Sequence, residues 1–432
     1  MKTIVKILSV LLMVSILVCG CSRTENNNGN VSGASDRLAD SDIVITDEKT
    51  VTTITDYEAE GVFSEGLAFV TYSRDGIEKY AYIDKMGKVS CELPDGYTYG
   101  LPFYNGLAVV IKEIKCGSMG SMSGFAVIDN RGNIVIDGSE YAMMSRASEG
   151  IICAFKIDKT YTGTTYLTEF LNYQGEIVAR VNDIPDILKG SSLLINSYTD
   201  IKKYERYFQF GTVPINGIYY NSKGNVVKEL DDDIQTEDNL QYVLFRGWYH
   251  AKMYDRKNLT KITNEDYKYV NTTFGDEGMV SPDGITFAQR NDDDGYYIEF
   301  ITPNGEFKKH SIEGLVGEIS PMYVRDADSD CWIVHLENSY TALIDIDGNF
   351  CFEPIQKENI EYLGEGKYYL AKSQKVIDSS GKELFAFPGM YNCPTGGRYV
   401  QYEFMFHEGM LNYDGHYITE TGDVINCIYL EE

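Results

Sequence analysis

The chain of 432 residues holds two tryptophans, ten prolines and five histidines, and what it lacks removes several classes of function. The histidines, His250, His310, His335, His407 and His416, show no metal-ligand spacing and H-E-x-x-H is absent, which excludes the helix-borne zinc site of metalloproteases. No G-x-S-x-G occurs, so the nucleophile elbow of the α/β-hydrolases is missing. The nine cysteines stand at long intervals without C-x-x-C, a poor disulfide framework and a poor zinc site. Positive charge is scarce: 38 Lys and Arg against 65 Asp and Glu leave a formal charge of −27. A field of that sign repels phosphates, which excludes nucleic acid and anionic lipid headgroups as partners. Downstream of residue 20 no apolar run is long enough to cross a bilayer, and amphipathic helical patterns of ten or more residues are absent.

The one long apolar run is at the start. Met1 to Gly20, "MKTIVKILSVLLMVSILVCG", has two lysines, an apolar stretch and then small residues, the layout of an export signal rather than a spanning helix. It ends in "LVCGC", and Leu17, Val18, Gly20 and Cys21 resemble the lipobox of bacterial lipoproteins, whose cysteine is acylated and becomes the first mature residue. The alternative is an ordinary signal peptide or an uncleaved anchor. Acylation of Cys21 with more than one chain implies stable anchoring. Residues 22–43, "SRTENNNGNVSGASDRLADSDI", cannot offset the entropy of ordering and are expected to form a flexible tether. The expected organisation is therefore a signal peptide over 1–20, a lipidated cysteine and tether over 21–43, and a body over 44–432. Residues 1–20 contain Lys2 and Lys6 and no acid, so their removal takes the charge from −27 to −29.

Of the cysteines, Cys19 leaves with the signal and Cys21 takes the lipid. Cys91, Cys116, Cys153, Cys331, Cys351, Cys393 and Cys427 remain, most of them expected as small buried hydrophobes. An odd number leaves at least one free thiol if every bridge is intramolecular.

What the body does have is repetition. "FSEGLAFV" at 63–70 returns as "FYNGLAVV" at 103–110, and its glycine-before-apolar core recurs in "SEGIICAF", "DEGMVSP", "GEGKYYLA" and "HEGMLNY". A second phrase follows it: "YIDKMGKV", "VIDNRGNI", "FLNYQGEI", "YYNSKGNV", "FITPNGEF", "LIDIDGNF", "VIDSSGKE" and "YITETGDV". Its glycines, Gly87, Gly132, Gly175, Gly224, Gly305, Gly348, Gly381 and Gly422, are spaced by 45, 43, 49, 81, 43, 33 and 41. The gap of 81 holds a ninth copy, "MYDRKNLT", with Asn258 at the glycine position; asparagine tolerates a left-handed backbone best after glycine. The pattern reads as strand, tight turn, strand, with a short polar side chain capping the turn and glycine supplying positive φ.

The fold class is therefore all-β, built from four-stranded units of about 40–45 residues, the size of one propeller blade. The last copy stops after roughly three strands at "GDVINCIYLEE", whereas the body opens on "DIVITDEKTVTTITDYEAEG", one or two strands without the usual turn. Pairing the two ends would close a ring and remove its exposed edges. We expect a closed β-propeller of eight blades, within a range of seven to nine; an open solenoid and two smaller propellers are the alternatives.

These residues resemble the WG repeat proteins, also called KWG repeats, in which copies read approximately F-x-x-G-L-A-x-V and then K-W-G-Y-I-D-x-x-G-x-x-V. The similarity is clearest from Phe63 to Ile136 and runs in weaker copies through most of 44–432. Tyr80-Ala81, Phe125-Ala126 and Thr341-Ala342 occupy the Trp-Gly positions, a departure that retains strand character. The resemblance implies a repeat scaffold, often on bacterial envelope proteins, and supplies no catalytic residues.

Candidates for chemistry stand on their own. "DADSDCWIVHLE" places Asp326, Asp328 and Asp330 at alternate positions with Glu337 twelfth, an echo of a calcium loop. Cys331 replaces its turn glycine, so a solvated acidic turn is the alternative. No cofactor motif is found, and no catalytic residue is assigned. Paired carboxylates of a glycosidase type arise by chance among 65 acids. The 34 tyrosines suit both half-buried strands and platforms for sugars or peptides, while Trp248 and Trp332 read as core. Two readings follow: a noncatalytic, lipid-anchored envelope scaffold that binds a protein or a glycan, and an enzyme acting on polysaccharide through carboxylates in the propeller centre. Carboxylates converging in a concave pocket with perturbed pKa values would mark the second.

Overall fold

The computed structural model describes residues 44–46, 49–54, 57–115, 121–161, 163–189, 206–229, 235–238, 242–247, 250–255, 257, 259–261, 267–268, 286–292, 295–301, 306–316, 331–387, 405–413 and 415–430. The chain divides into two units, Met1–Asp40 and Ser41–Glu432, and every described residue lies in the second. The signal, Cys21 and the tether fall outside the described residues, as do Asp326, Asp328, Asp330, Trp248, Asn258, Gly305, Cys116 and Cys393. Among the described residues no helix is long and apolar enough to cross a membrane.

Val44–Thr46 (β1) and Lys49–Ile54 (β2) come first. Tyr57–Ala59 (β3), Leu67–Arg74 (β4), Ile77–Asp84 (β5) and Val89–Glu92 (β6) then form the first four-stranded antiparallel sheet, in chain order. The second is Tyr99–Gly100 (β7), Leu107–Lys115 (β8), Ser121–Asp129 (β9) and Ile134–Gly138 (β10), and the third Met143–Met144 (β11), Ile152–Thr160 (β12), Gly163–Leu171 (β13) and Ile177–Val181 (β14). The fourth holds Thr212–Ile215 (β15), Ile218–Asn221 (β16) and Val226–Glu229 (β17). The fifth holds Gln235–Asp238 (β18), Tyr242–Gly247 (β19), His250–Asp255 (β20), Thr260–Lys261 (β21) and Tyr267–Lys268 (β22). The sixth is Thr286–Asp292 (β23), Gly295–Ile301 (β24) and Phe307–His310 (β25), and the seventh Trp332–Leu336 (β26), Tyr340–Ile344 (β27) and Ile355–Gln356 (β28). Ile360–Tyr362 (β29), Lys367–Leu370 (β30), Lys375–Asp378 (β31) and Glu383–Ala386 (β32) make the eighth, and Met410–Tyr413 (β33) with His416–Thr419 (β34) the ninth. The last strand, Cys427–Leu430 (β35), pairs with β2. The only helical elements among the described residues are two 3-10 turns, Asp186–Leu188 and Glu337–Ser339.

Each sequence phrase has its own structure. In the second phrase the Asp or Asn gathers backbone donors: Asp84 Oδ1 accepts from the N–H groups of Met86 and Lys88, both at 2.9 Å, and Asp129 from Arg131 and Asn133. Burial alone would raise the carboxyls of Asp129, Asp345 and Asp378, but the neighbouring side-chain and N–H donors outweigh it and hold them below the usual range. A depressed folded-state pKa contributes stability above the unfolded value and loses it as pH falls through the folded one. A urea midpoint followed from neutral pH downward is therefore expected to hold until about pH 4 and then to fall.

The glycine of that phrase has a second duty besides positive φ. A Cβ at Gly132 would lie 2.9 Å from the Glu92 carbonyl oxygen of the preceding sheet, and one at Gly224 3.1 Å from the Arg180 carbonyl. At Gly87 it would overlap the carbonyl oxygen of Asn426, in the last repeat. The turn of each such repeat thus presses on the final strand region of the one before it.

The first phrase forms two-residue hairpin turns with two left-handed residues: Glu65 (φ 53°) and Gly66 (φ 77°), Asn105 and Gly106, Glu149 and Gly150, Glu408 and Gly409. This is the geometry that favours Asn-Gly. Glutamate bears the strain because its carboxylate reaches the next turn. Glu65 accepts from the N–H groups of Asn105 (2.5 Å) and Gly106 (2.8 Å), and Glu365 from Glu408 (2.6 Å) and Gly409 (3.0 Å). Glu149 takes Gly211 N–H at 2.7 Å, and Glu408 takes Gly66 N–H at 2.9 Å, which joins the last repeat to the first.

The apolar core lies between successive sheets. Phe69 and Tyr82 of the first meet Phe103, Val110 and Ile128 of the second. Ile54, Tyr57, Ala59 and Phe63 at the beginning share a cluster with Met410, Tyr417 and Cys427 at the end. Tyr417 O–H donates to Gly61 O (2.7 Å), and Asn412 Nδ2 to Ala59 O (2.8 Å). The expected pairing of the two ends is present as Val51↔Leu430 to Ile54↔Cys427.

Candidate functional site

A cavity of about 340 Å³ opens between the first and second sheets. Alternation along β3 sends Tyr57 and Ala59 into the core and leaves Glu58 exposed; Glu60, two residues on, shares the Glu58 face. The register then sets Thr71 of β4 beside Glu58 and Tyr80 of β5 beside Thr71. Glu78, on the Tyr80 face, completes the first wall, and Tyr99, Glu113 and Ser123 belong to the second. Phe69 meets Tyr99 edge-on at 5.2 Å, so the floor is aromatic and the flanks carry carboxylates.

Charge is segregated across the first sheet. On its other face Glu92 gathers Arg74 (3.5 Å), Lys79 (3.7 Å) and the Tyr72 hydroxyl (2.7 Å). Lys112 borders the cavity, but its Nζ sits 4.8 Å above the Tyr97 ring. Burial pushes the Glu60 carboxyl up, and the charges of Glu58 and Glu78 push it further. The Tyr80 hydroxyl donates to Glu78, and that bond, with burial, raises it to about 12. The site is an acidic, aromatic-floored cleft suited to a cation or a polar ring.

No protein-family model and no curated protein matches the chain. Among solved structures it is similar to BamB from Moraxella catarrhalis, at 12% identity and a TM-score of 0.33, over 77% of this chain and 95% of that one. It is similar to apo AztD from Citrobacter koseri at 11% and 0.30, over 77% and 92%. An uncharacterised Listeria monocytogenes protein, lmo1340, aligns at 10% and 0.35, over 78% and 95%.

Of the residues singled out in the sequence as calcium ligands, only Glu337 is described. It begins the turn at the far end of β26, exposed, with its N–H on Gly314 O (2.6 Å). In the chain, β26 lies between Cys331 and Glu337. Among the described residues no group of three or more His, Cys, Asp or Glu side chains is placed to hold a metal ion. Trp332 is core, 4.6 Å from Phe300. The cavity carboxylates carry no signal in the sequence, because they meet only through the pairing of β3, β4 and β5 and the placement of β8 beside them.

Proposed function

We propose that the protein is a lipid-anchored protein of the bacterial cell envelope, acylated at Cys21. Its body is a WG-type repeat domain forming a closed β-propeller of eight blades, within a range of seven to nine, and it serves as a noncatalytic scaffold that binds a protein or a glycan. The observation that carries the binding role is the cavity between the first two sheets. Tyr80 and Tyr99 offer ring faces or edges, Glu58, Glu60, Glu78 and Glu113 offer charge, and nearby cations are engaged elsewhere. Lysine or arginine side chains of an extended partner segment suit such a lining, with the rings contributing apolar contact.

The test is retention of envelope proteins and of an arrayed glycan set by the detergent-solubilised protein, with and without calcium. A basic protein is expected, and Glu60→Gln with Glu78→Gln together should weaken its retention at least about tenfold, roughly 1.4 kcal/mol. Retention should also rise with pH as Glu60 ionises, because the charged carboxylate is the form that attracts a cation. Unchanged retention by the double variant would reject the cavity as the binding site. Calcium dependence would bring in Asp326, Asp328, Asp330 and Glu337.

A second reading is favoured by the same Glu60. A carboxyl raised by burial beside two further carboxylates in a concave site is the arrangement of a general acid with its partner. It would make the protein a polysaccharide-acting enzyme that works through paired carboxylates, the alternative that placed such a pair in the propeller centre. Release of reducing ends from a retained glycan, lost in Glu60→Gln, would establish it.

A further inference from the structure

Two cysteines twenty positions apart meet in the seventh sheet. Cys331 immediately precedes β26, and Cys351 follows the turn after β27, where its N–H donates to Leu343 O at 2.9 Å. Their Sγ atoms are 3.0 Å apart and share a hydrogen bond, about 1 Å longer than a disulfide bond. Both thiols are unbridged, and both border the apolar cluster of Ile333, Leu343 and Tyr368.

The pair is asymmetric in a useful way. Cys331 is 6% exposed, whereas Cys351 is half-buried and reachable. The hydrogen bond from Cys331 draws the Cys351 thiol below its ordinary range, against burial and the Asp345 charge. The buried Cys91 and Cys427 go the other way, pushed up to about 11 and about 12 by burial. Reactivity of a thiol follows its thiolate fraction and its access, and Cys351 has both.

We propose that Cys331 and Cys351 form a reversible dithiol–disulfide site, with Cys351 as the attacking sulfur and a small-molecule or protein disulfide as the oxidant. The Cys351 thiolate attacks one sulfur of the oxidant, whose S–S bond breaks. One half leaves as a thiolate and takes up a proton; the other stays on Cys351 as a mixed disulfide. Cys331 then gives up its proton and attacks Cys351 Sγ, and the second half leaves as a thiol. Two electrons and two protons pass to the oxidant in all. The bond joins the residue before β26 to the segment beyond β27 across that strand. This inference rests on no part of the binding reading.

The test treats the detergent-solubilised full-length protein with oxidised glutathione, blocks remaining thiols with iodoacetamide and maps the peptides by mass spectrometry. The expected result is a Cys331–Cys351 cross-linked peptide, loss of alkylation at both residues, and its return on adding dithiothreitol. In Cys331→Ser the glutathione adduct should persist on Cys351. The proposal is overturned if the wild-type protein keeps glutathione on Cys351 while Cys331 remains alkylatable. It is equally overturned if both residues stay as alkylatable as in untreated protein. The wild-type result decides the matter without relying on how the variant folds.

Discussion

Gly87→Ala is expected to lower the unfolding free energy by at least about 4 kcal/mol, the extreme of single substitutions, or to prevent folding. Gly106→Ala should cost only about 1–2 kcal/mol. Both glycines are left-handed, at φ 80° and 74°, so backbone strain is nearly equal. The difference is space: a Cβ at Gly106 meets nothing within 4 Å, whereas one at Gly87 overlaps the Asn426 carbonyl and crowds Ile425. Relief would require the last repeat to move, and Gly87 O also receives Ile428 N–H at 2.6 Å. Urea unfolding of the two variants measures the contrast. Equal losses would mean that the last repeat does not press on the first in solution.

Removal of Cys427 to Glu432 should cost about 5 kcal/mol or more, given about 1 kcal/mol for each hydrogen bond lost and the apolar area uncovered. It deletes the four pairs with β2 and the fully buried Cys427, and it takes away the strand that bridges to Lys88. The loss should be local first: amide exchange should quicken in β2 and β3 while β12 and β13 keep their protection, since those strands share a nine-pair ladder far from the joint. A truncated chain with the wild-type urea midpoint would show that the end-to-end pairing contributes nothing.

Much of this architecture was legible because turns write their chemistry into short phrases. Asp or Asn followed by glycine three residues on gave both the hairpin and its carboxylate or amide cap, as at Asp84–Gly87. The pairing of the two ends was expected, and β2 with β35 supplies it. Less visible was anything that depends on which repeat touches which. The sequence carries no sign of what the glutamate before the glycine does, and only the structure shows Glu365 and Glu65 reaching the next turn. Gln209–Thr212 is the same turn with Phe210 in the left-handed place of Glu, and the apolar side chain hid it. Near Asn258, expected to take the glycine role, the left-handed residue described is Leu259 (φ 51°). The contact of Cys331 with Cys351 and the convergence of Glu58, Glu60 and Glu78 arise from strand register, which the pattern of phrases leaves open.

The sheet of β1, β2 and β35 also decides how the body answers a pull. Tension arriving along the chain at residue 43 reaches β1 first, whose Val44↔Val51 pair is at the loaded end, so β1 peels from β2 one pair at a time. The load then passes to β2 at Lys49, while β35 is held by the ninth sheet at its Cys427 end. Those two grips lie at opposite ends of the stretch from Val51↔Leu430 to Ile54↔Cys427, so its four pairs resist together, in shear. Forced opening is governed by a rate rather than by overall stability, and here a soft element stands in series before a stiff one. A tug of growing strength would first release one short strand and only then strain the body.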